Sequence, residues 1–247
     1  YNSAERTAQN LLIDTGRIYL NPASKEERDL IAAGVTEIVR KYDVDGVHID
    51  DYFYPSGLDF SYDASQYAAY TAAGGTLSQA DWRRENTSAM VKQMYNAVKA
   101  ADSSAVFGVS PRGVNQQTYD LLYADVEKWV QNPGYLDYVA PQIYYGFQNA
   151  SAGYEKILKQ WEDMVTCPDV SLLVGLAAYK SGTVDQYAGE AGKNEWLSST
   201  DIIARQIDMA RGVDSCDGII LFRYEQIFGS PNASMEKEKK NFIALLK

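Results

Sequence analysis

Short apolar runs alternate with amphipathic segments along most of the chain. Six runs are candidate strands, and several of them have the near-continuous apolar character of strands that are covered on both faces. Helical periodicity fills the spaces between them, and the first helix opens with a capping box at residues 24–27 and extends through Lys41. This alternation predicts right-handed βα units and a parallel sheet. The predicted strands are 17–21, 44–50, 105–110, 138–144, 171–179 and 218–224, and the later helices are 81–101, 116–131, 153–165, 199–211 and 235–246.

The count of units predicts an α/β fold of the (β/α)8 TIM-barrel type. Such a barrel needs eight units, and 247 residues is an ordinary length for one. With six units recognised, the barrel is expected to be incomplete, with its first two units missing, unless residues 1–13 supply an element without a clear pattern. An open doubly wound sheet is the alternative, but no glycine-rich phosphate loop follows a predicted strand. Residues 1–247 are interpreted as a single, N-terminally truncated barrel domain whose longest irregular segment is 52–78.

Composition narrows the classes of partner. Hydrophobic residues make up 46% and charged residues 23%, which is typical of a folded globular protein. The net charge of −10 argues against nucleic acid or an anionic membrane as a partner, and no apolar run is long enough for membrane insertion. One histidine and two cysteines, outside any metal-ligand spacing, argue against a zinc site, so no metal or other cofactor is predicted.

The two cysteines, Cys167 and Cys216, each stand just before a predicted strand. If those strands are parallel neighbours, both cysteines lie at the same end of the sheet and could form a disulfide, which would indicate an extracytoplasmic protein. Two buried free thiols are the alternative.

The most informative segment is the predicted strand at 44–50, which ends in Asp50 and Asp51 followed by the aromatic run 52–54. Parallel α/β folds place their active sites at the C-terminal tips of strands. The two acids could instead cap a helix or stay solvated in a turn. Because side chains alternate along a strand, His48 and Asp50 are expected to face the barrel interior, with Asp51 pointing elsewhere.

The same alternation brings polar and aromatic residues to the other strand tips. Glycoside hydrolysis uses two carboxyl groups, one as acid and the other as nucleophile or base. We predict Asp50 as nucleophile or electrostatic stabiliser, Asp51 or Glu225 as acid/base, and Arg112 or Arg223 as the cation that keeps Asp50 ionised. His48 is expected to form the floor of the site. The predicted substrate-binding residues are Asn21, His48, Tyr52, Tyr54, Ser110, Arg112, Gln142, Tyr144, Tyr179, Lys180 and Arg223.

Two other readings of these residues are less favoured. Asp45, Asp50 and Asp51 could bind magnesium or calcium, but Asp45 stands at the opposite end of the strand. The four tryptophans fall mostly on helical segments and are expected in the core, except that Trp196 could be a sugar platform.

The segment 45–55, DGVHIDDYFYP, resembles the signature of the bacterial glycosyl hydrolase-like 10 family. Further segments resemble that family in the same order: YLNP at 19–22, GVSP at 108–111, YVAPQIY at 138–144, GLAAYK at 175–180 and LFRY at 221–224. The resemblance implies a TIM-barrel domain of secreted or lipid-anchored bacterial proteins that acts on polysaccharide or cell-wall glycan. The resemblance also implies two strand–helix units before YLNP, and these are expected to be missing here.

The sequence therefore predicts a glycosidase that cleaves O-glycosidic bonds in a polysaccharide or bacterial cell-wall glycan. The expected partner is a poly- or oligosaccharide, the expected location is extracytoplasmic, and open sheet edges are expected to favour homo-oligomers. The alternative is a non-catalytic carbohydrate-binding or cell-wall-binding barrel. A metal-dependent hydrolase is a third, weaker reading.

Overall fold

The computed structural model describes residues 11–14 and 16–245, which form two compact units. The first contains the residues up to Val109 together with Asn115–Asp137, and the second contains Ser110–Val114 and the residues from Tyr138 onward. Of the described helices, none has both the length and the apolar character needed to cross a bilayer.

The first unit begins with a β-hairpin. Strand β1 (Leu11–Asp14) pairs antiparallel with β2 (Arg17–Leu20), and Gly16 has a φ of 78° in the two-residue connection. A glycine with positive φ suits the tight turn of an antiparallel pair. The prediction that residues 17–21 form the first strand of a parallel sheet is therefore wrong, although a strand exists there. The described residues contain five strands of the βα type instead of six.

The N-cap half of the predicted capping box is observed at helix α1 (Lys25–Lys41), where the N–H of Ser24 itself donates to the carbonyl of Asn21 at 2.9 Å. The backbone N–H of Glu27 donates to Oγ of Ser24 at 3.3 Å. Strand β3 (Gly46–Asp50) follows α1 and lies against the start of a later strand, where N–H of Val106 donates to the carbonyl of Asp45 at 2.9 Å. A Cβ atom at position 46 would collide with the Val106 carbonyl, which explains why a glycine opens β3.

The segment 52–78, predicted to be irregular, contains helical structure in its middle part. A 3-10 turn (Phe60–Asp63) leads into helix α2 (Ala64–Ala72), and helix α3 spans Gln79–Ala101. Every residue of α2 is at least partly exposed, so the sequence carries no apolar periodicity to reveal it. Strand β4 (Val106–Ser110) follows, and the predicted helix 116–131 is two helices, α4 (Asn115–Leu121) and α5 (Val126–Gln131).

A buried ion pair fixes this segment to α3. The guanidinium of Arg83 and the carboxylate of Asp63 are both fully buried, with Nε to Oδ2 at 2.7 Å and Nη2 to Oδ1 at 2.6 Å. Arg83 also donates to the carbonyls of Leu58 at 2.7 Å and Asp59 at 3.0 Å. A small aromatic cluster surrounds it, because its guanidinium lies over the rings of Tyr54, Phe60 and Tyr123 at 5.4, 4.7 and 4.6 Å.

The second unit contains three parallel strands. Strand β6 (Ser171–Ala177) lies between β5 (Tyr138–Val139) and β7 (Cys216–Phe222). Buried aliphatic residues of β6 form much of its core, together with Trp161 and its neighbours on the flanking helices. The helices are α6 (Tyr154–Met164), the short α7 (Gly189–Gly192) and α8 (Glu195–Ser198), α9 (Ile202–Arg211) and α10 (Ala233–Ala244), with a π-helical turn at Glu225–Gly229.

Two sequence hypotheses about this unit are wrong. Cys167 and Cys216 are free thiols, so the suggested disulfide is not formed. Trp196 is only 1% exposed, so its ring packs in the core and offers no surface for a sugar.

A buried carboxylate joins α10 to α9. Both carboxylate oxygens of Glu238, which is 1% exposed, accept from the start of α9, with the N–H groups of Ile202 at 2.7 Å and Ile203 at 3.2 Å. These donors would otherwise be unsatisfied at the helix N-terminus. Burial nevertheless dominates and raises the pKa of Glu238 from 4.5 to about 7, against the opposing effect of the two N–H groups.

This raised pKa predicts a loss of stability as pH rises. Below pH 4.5 the Glu238 carboxyl is protonated in both the folded and the unfolded protein. Between pH 4.5 and about 7 only the folded protein retains the proton. Ionisation therefore disfavours folding, and Glu238→Gln removes this effect. The free energy of unfolding of the wild type, minus that of Glu238→Gln, should fall on the order of 3 kcal/mol across this range.

Urea denaturation of both proteins from pH 4.5 to 8 measures this difference. Glu236→Gln is the control on the same helix, because its side chain is 47% exposed and contacts Lys239 at 3.8 Å. Parallel curves for the wild type and Glu238→Gln would contradict the prediction.

Candidate active site

Two adjacent carboxylates end β3 in different environments. Asp50 is exposed, whereas Asp51 is only 7% exposed. The exposures agree with alternation along the strand, because Val47 is buried and His48 is exposed on the same side as Asp50. Oδ1 of Asp50 accepts from the backbone N–H of Asp51 at 2.9 Å, which fixes the orientation of the Asp50 carboxylate.

Asp50 lies at the wall of a cavity of about 430 Å³ in the first unit. Among the described residues that line this cavity, Asp50 is the only acidic one, and the others are aromatic or aliphatic. A carboxylate beside such surfaces can act on a ligand that has both polar groups and an apolar face. The lining residues are Ile18, Tyr19, Leu20, Ile31, Ile49, Asp50, Tyr52, Phe53, Met90 and Met94.

His48 shares the exposed face of β3 with Asp50. Partial desolvation lowers the pKa of its imidazole, and the Asp50 carboxylate acts in the opposite direction. The ring is therefore mainly neutral at pH 7, which suits a hydrogen-bonding floor better than a cation.

The other predicted residues of the first unit differ in accessibility. Tyr52 is 69% exposed and lines the cavity with Asp50. Asn21 is fully buried, where its Oδ1 accepts from the N–H of Ala23 at 3.0 Å and holds the turn before α1. Tyr54 is 1% exposed in the core beside Tyr123, and burial strongly raises the pKa of its hydroxyl. Neither Asn21 nor Tyr54 presents a surface to a ligand.

Three predicted residues of the second unit lie together at the tips of its strands. Arg112 and Gln142 form a parallel bridge, and Gln142 forms another with Gly175 of β6. Oγ of Ser110 donates to the carbonyl of Ala140 at 2.8 Å, while Nε2 of Gln142 donates to the Ser110 carbonyl at 3.1 Å. These bonds hold the strand tips in register.

Tyr144, Tyr179 and Lys180 form a second group in this unit. The two rings meet edge to face at 5.9 Å. Nζ of Lys180 donates to the carbonyl of Tyr144 and to Oδ2 of Asp185, both at 2.7 Å. Burial raises the pKa of the Tyr179 hydroxyl, and the Asp185 carboxylate adds to this shift.

The last predicted pair, Arg223 and Glu225, follows β7. Nη2 of Arg223 lies 2.8 Å from Oε2 of Glu225, with the side chains 55% and 63% exposed. Nε of Arg223 also donates to Oε1 of Gln226 at 3.2 Å. Glu225 is thus an accessible carboxylate held by a cation, and the roles assigned to both residues from the sequence remain predictions.

Sequence reasoning missed two members of the second unit's groups. Asp185 lies in a loop, and its pairing with Lys180 has no local sequence signal. Phe222 contacts both Tyr144 and Tyr179, at 6.0 Å in each case. Phe222 lies on the opposite face from Arg223 in the alternation of the strand, and its place at the strand tip was a usable signal. No His, Cys, Asp or Glu residues among those described are grouped in threes that could hold a metal ion.

A model of the family described as glycosyl hydrolase-like 10 matches residues 2–189. The chain belongs to this family. The family resemblance inferred from the sequence is therefore confirmed, and the matched range includes the segment 45–55 and four of the five shorter segments, with LFRY at 221–224 beyond it.

Curated relatives support the assignment. Glycosyl hydrolase DigH of Escherichia coli (strain K12) is 35% identical over 230 residues, covering 85% of this chain and 50% of the relative. Glycosyl hydrolase YngK of Bacillus subtilis (strain 168) is 38% identical over 182 residues, covering 66% of this chain and 35% of the relative. The chain spans half or less of the length of these relatives.

Solved structures show the same fold at low sequence identity. The glycoside hydrolase domain of PgaB from Bordetella bronchiseptica has a TM-score of 0.56 at 14% identity, over 97% of this chain and 67% of that one. A xylanase A of P. fluorescens subsp. cellulosa has a TM-score of 0.55 at 13% identity, over 91% and 73%. A β-galactosidase from the psychrophilic Marinomonas ef1 has a TM-score of 0.61 at 13% identity, over 96% and 46%. The likeness to TIM-barrel glycoside hydrolases confirms the predicted α/β barrel class.

Proposed function

We propose that the chain is a glycoside hydrolase that cleaves O-glycosidic bonds in a polysaccharide or a bacterial cell-wall glycan. The observation that carries this proposal is the position of Asp50, exposed at the C-terminal end of β3 and at the wall of an aromatic cavity. Membership of a glycosyl hydrolase-like family supports the reaction class. In this role the Asp50 carboxylate either attacks the anomeric carbon as a nucleophile or stabilises the positive charge that develops there.

The second carboxyl group is proposed to be Glu225 or Asp51. Glu225 is accessible, and its carboxylate lies 2.8 Å from the guanidinium of Arg223. Asp51 is next to Asp50 in sequence but is only 7% exposed, so its alternative role is to orient the loop that follows β3. The spacing between the two working carboxyls would decide between a covalent intermediate and direct attack by water.

The substrate and the location follow from the same proposal. We propose a poly- or oligosaccharide as the partner and an extracytoplasmic site of action. Tyr52 at the cavity and Tyr179 in the second unit offer exposed ring surface of the kind that packs against sugar C–H groups.

A non-catalytic glycan-binding function is the second candidate. The cavity at Asp50 supports this candidate in one respect. Asp50 is the only acidic residue among the described residues that line it, whereas glycoside hydrolysis uses two carboxyl groups. Binding without cleavage needs only the aromatic walls and hydrogen-bonding groups.

A panel of soluble polysaccharides and purified peptidoglycan separates the two candidates. We expect at least one substrate to release reducing ends at a rate proportional to protein concentration, and the same rate with a chelator present. Retention of the chain on a glycan by affinity electrophoresis, without any release of reducing ends, would favour the binding function. Neither retention nor release would contradict both.

A further inference from the structure

Three aromatic rings of the second unit form one cluster, here called the aromatic platform: Tyr144, Tyr179 and Phe222. The rings of Tyr144 and Phe222 are stacked, with centroids 6.0 Å apart and planes 19° apart. Tyr179 meets both rings edge to face, at 5.9 Å to Tyr144 and 6.0 Å to Phe222, with interplanar angles of 82° and 87°. Stacked and edge-to-face pairs are the preferred arrangements of aromatic rings, so the three rings hold one another in place.

The platform keeps a large apolar surface open to solvent. Phe222 is 47% exposed and Tyr179 is 38% exposed, although each is held by two neighbouring rings. Tyr144 occupies one face of the Phe222 ring, so the exposed area belongs to the remainder of that ring. A rigid, half-exposed ring at the tip of a strand can bind the apolar C–H face of a ligand at little entropic cost.

The charges beside the platform are paired. Lys180, which follows Tyr179, is bonded to Asp185 at 2.7 Å, and Asp185 is only 5% exposed. Arg223, which follows Phe222, is bonded to Glu225 at 2.8 Å. Each cation is paired with an anion, so the surroundings of the platform favour a neutral sugar ring over a sugar ring that carries a carboxylate.

We propose that Phe222, supported by Tyr144 and Tyr179, stacks on a neutral pyranose ring of the glycan. This inference rests on the proposed function, since it assumes a glycan substrate, and it adds a binding residue and a class of sugar. Lys180 and Asp185 act as positioning residues, because Lys180 also donates to the Tyr144 carbonyl and thereby fixes the segment after β5 that carries the supporting ring.

Isothermal titration calorimetry with three hexasaccharides tests the proposal: cellohexaose and chitohexaose as neutral probes, and hexagalacturonate as the anionic one. The wild type should bind at least one neutral probe, and hexagalacturonate about tenfold more weakly or worse. Phe222→Ala should weaken neutral binding roughly tenfold, which corresponds to ~1.4 kcal/mol of lost stacking. Phe222→Tyr should restore it, because the ring surface is kept.

Phe228→Ala is the matched control, since Phe228 is also exposed, at 56%, but pairs with Tyr224 outside the platform. It should bind within twofold of the wild type. Circular dichroism spectra and melting temperatures establish that both alanine variants fold, and Phe222→Leu supplies a volume-matched variant that lacks a ring. The proposal is overturned if no neutral probe binds, if Phe222→Ala binds as the wild type does, or if hexagalacturonate is preferred.

Reducing-end release on the same samples distinguishes failure of the stacking proposal from failure of the proposed hydrolysis. If neutral sugars bind in a way that depends on Phe222 but are not cleaved, the platform proposal is supported and the proposed hydrolysis is rejected. Turnover that Phe222→Ala does not change, in kcat/KM or in binding, keeps the enzyme and rejects the platform.

Discussion

Asp50→Asn is expected to lower the turnover of the best glycan substrate by at least about 100-fold, the lower end of what a positioned catalytic group contributes. The asparagine side chain has nearly the same shape, and its carbonyl oxygen can still accept from the N–H of Asp51. The fold should therefore persist while the negative charge at the cavity wall is lost. Reducing-end assays under kcat/KM conditions measure the effect.

Asp43→Asn is the matched control. It is the same substitution at an exposed position before β3, away from the strand tip, and it should change kcat/KM less than twofold. Equal turnover by the wild type and Asp50→Asn would reject the role assigned to Asp50. Glu225→Gln and Asp51→Asn, assayed in the same way, then identify which acid is its partner.

Arg83→Met is expected to destabilise the protein by about 3–5 kcal/mol, the range found when one partner of a buried ion pair is removed. The substitution leaves the fully buried carboxylate of Asp63 without its cation and removes one donor from each of two backbone carbonyls. It also removes the guanidinium from the three rings around it. Urea denaturation measures the free energy of unfolding.

Arg40→Met on the exposed side of α1 is the control, and it should change stability by less than about 0.5 kcal/mol. The double variant Arg83→Met/Asp63→Asn should lose less than the sum of its single variants, because removing the second charge relieves the first. Additive losses would show that the two side chains are not coupled.

Patterns with a short range in sequence predicted much of the fold. The apolar run ending at Asp50 is a strand, and the capping box at Ser24 opens a helix, because both depend on neighbours within a few positions. The β1–β2 hairpin was missed because the apolar run at residues 11–13 was not recognised as a strand. Helix α2 was missed because none of its residues is fully buried, and its packing depends on contacts of Tyr67 and Tyr70 with the distant Trp82.

The candidate site was predictable to the same extent. Alternation separated the exposed Asp50 from the enclosed Asp51, since a strand fixes the direction of its side chains. The partners of Arg83 and Lys180 were not predictable, because Asp63 lies 20 positions away and Asp185 lies in a loop. The accessibility of Asn21 and Tyr54 was overestimated, because burial depends on distant segments that cover them.

Because two acids are adjacent at the end of β3, a shift of the strand register by one residue would still place a carboxylate at the cavity wall. If β3 slipped by one residue, every side chain would exchange faces, and Asp51 would take the place of Asp50 at the cavity wall. A carboxylate would still be presented, but Ile49 would replace His48 beside it and Val47 would leave the core. The carboxylate is therefore duplicated in the sequence, and the cost of a slip comes from the misplaced Val47 and His48.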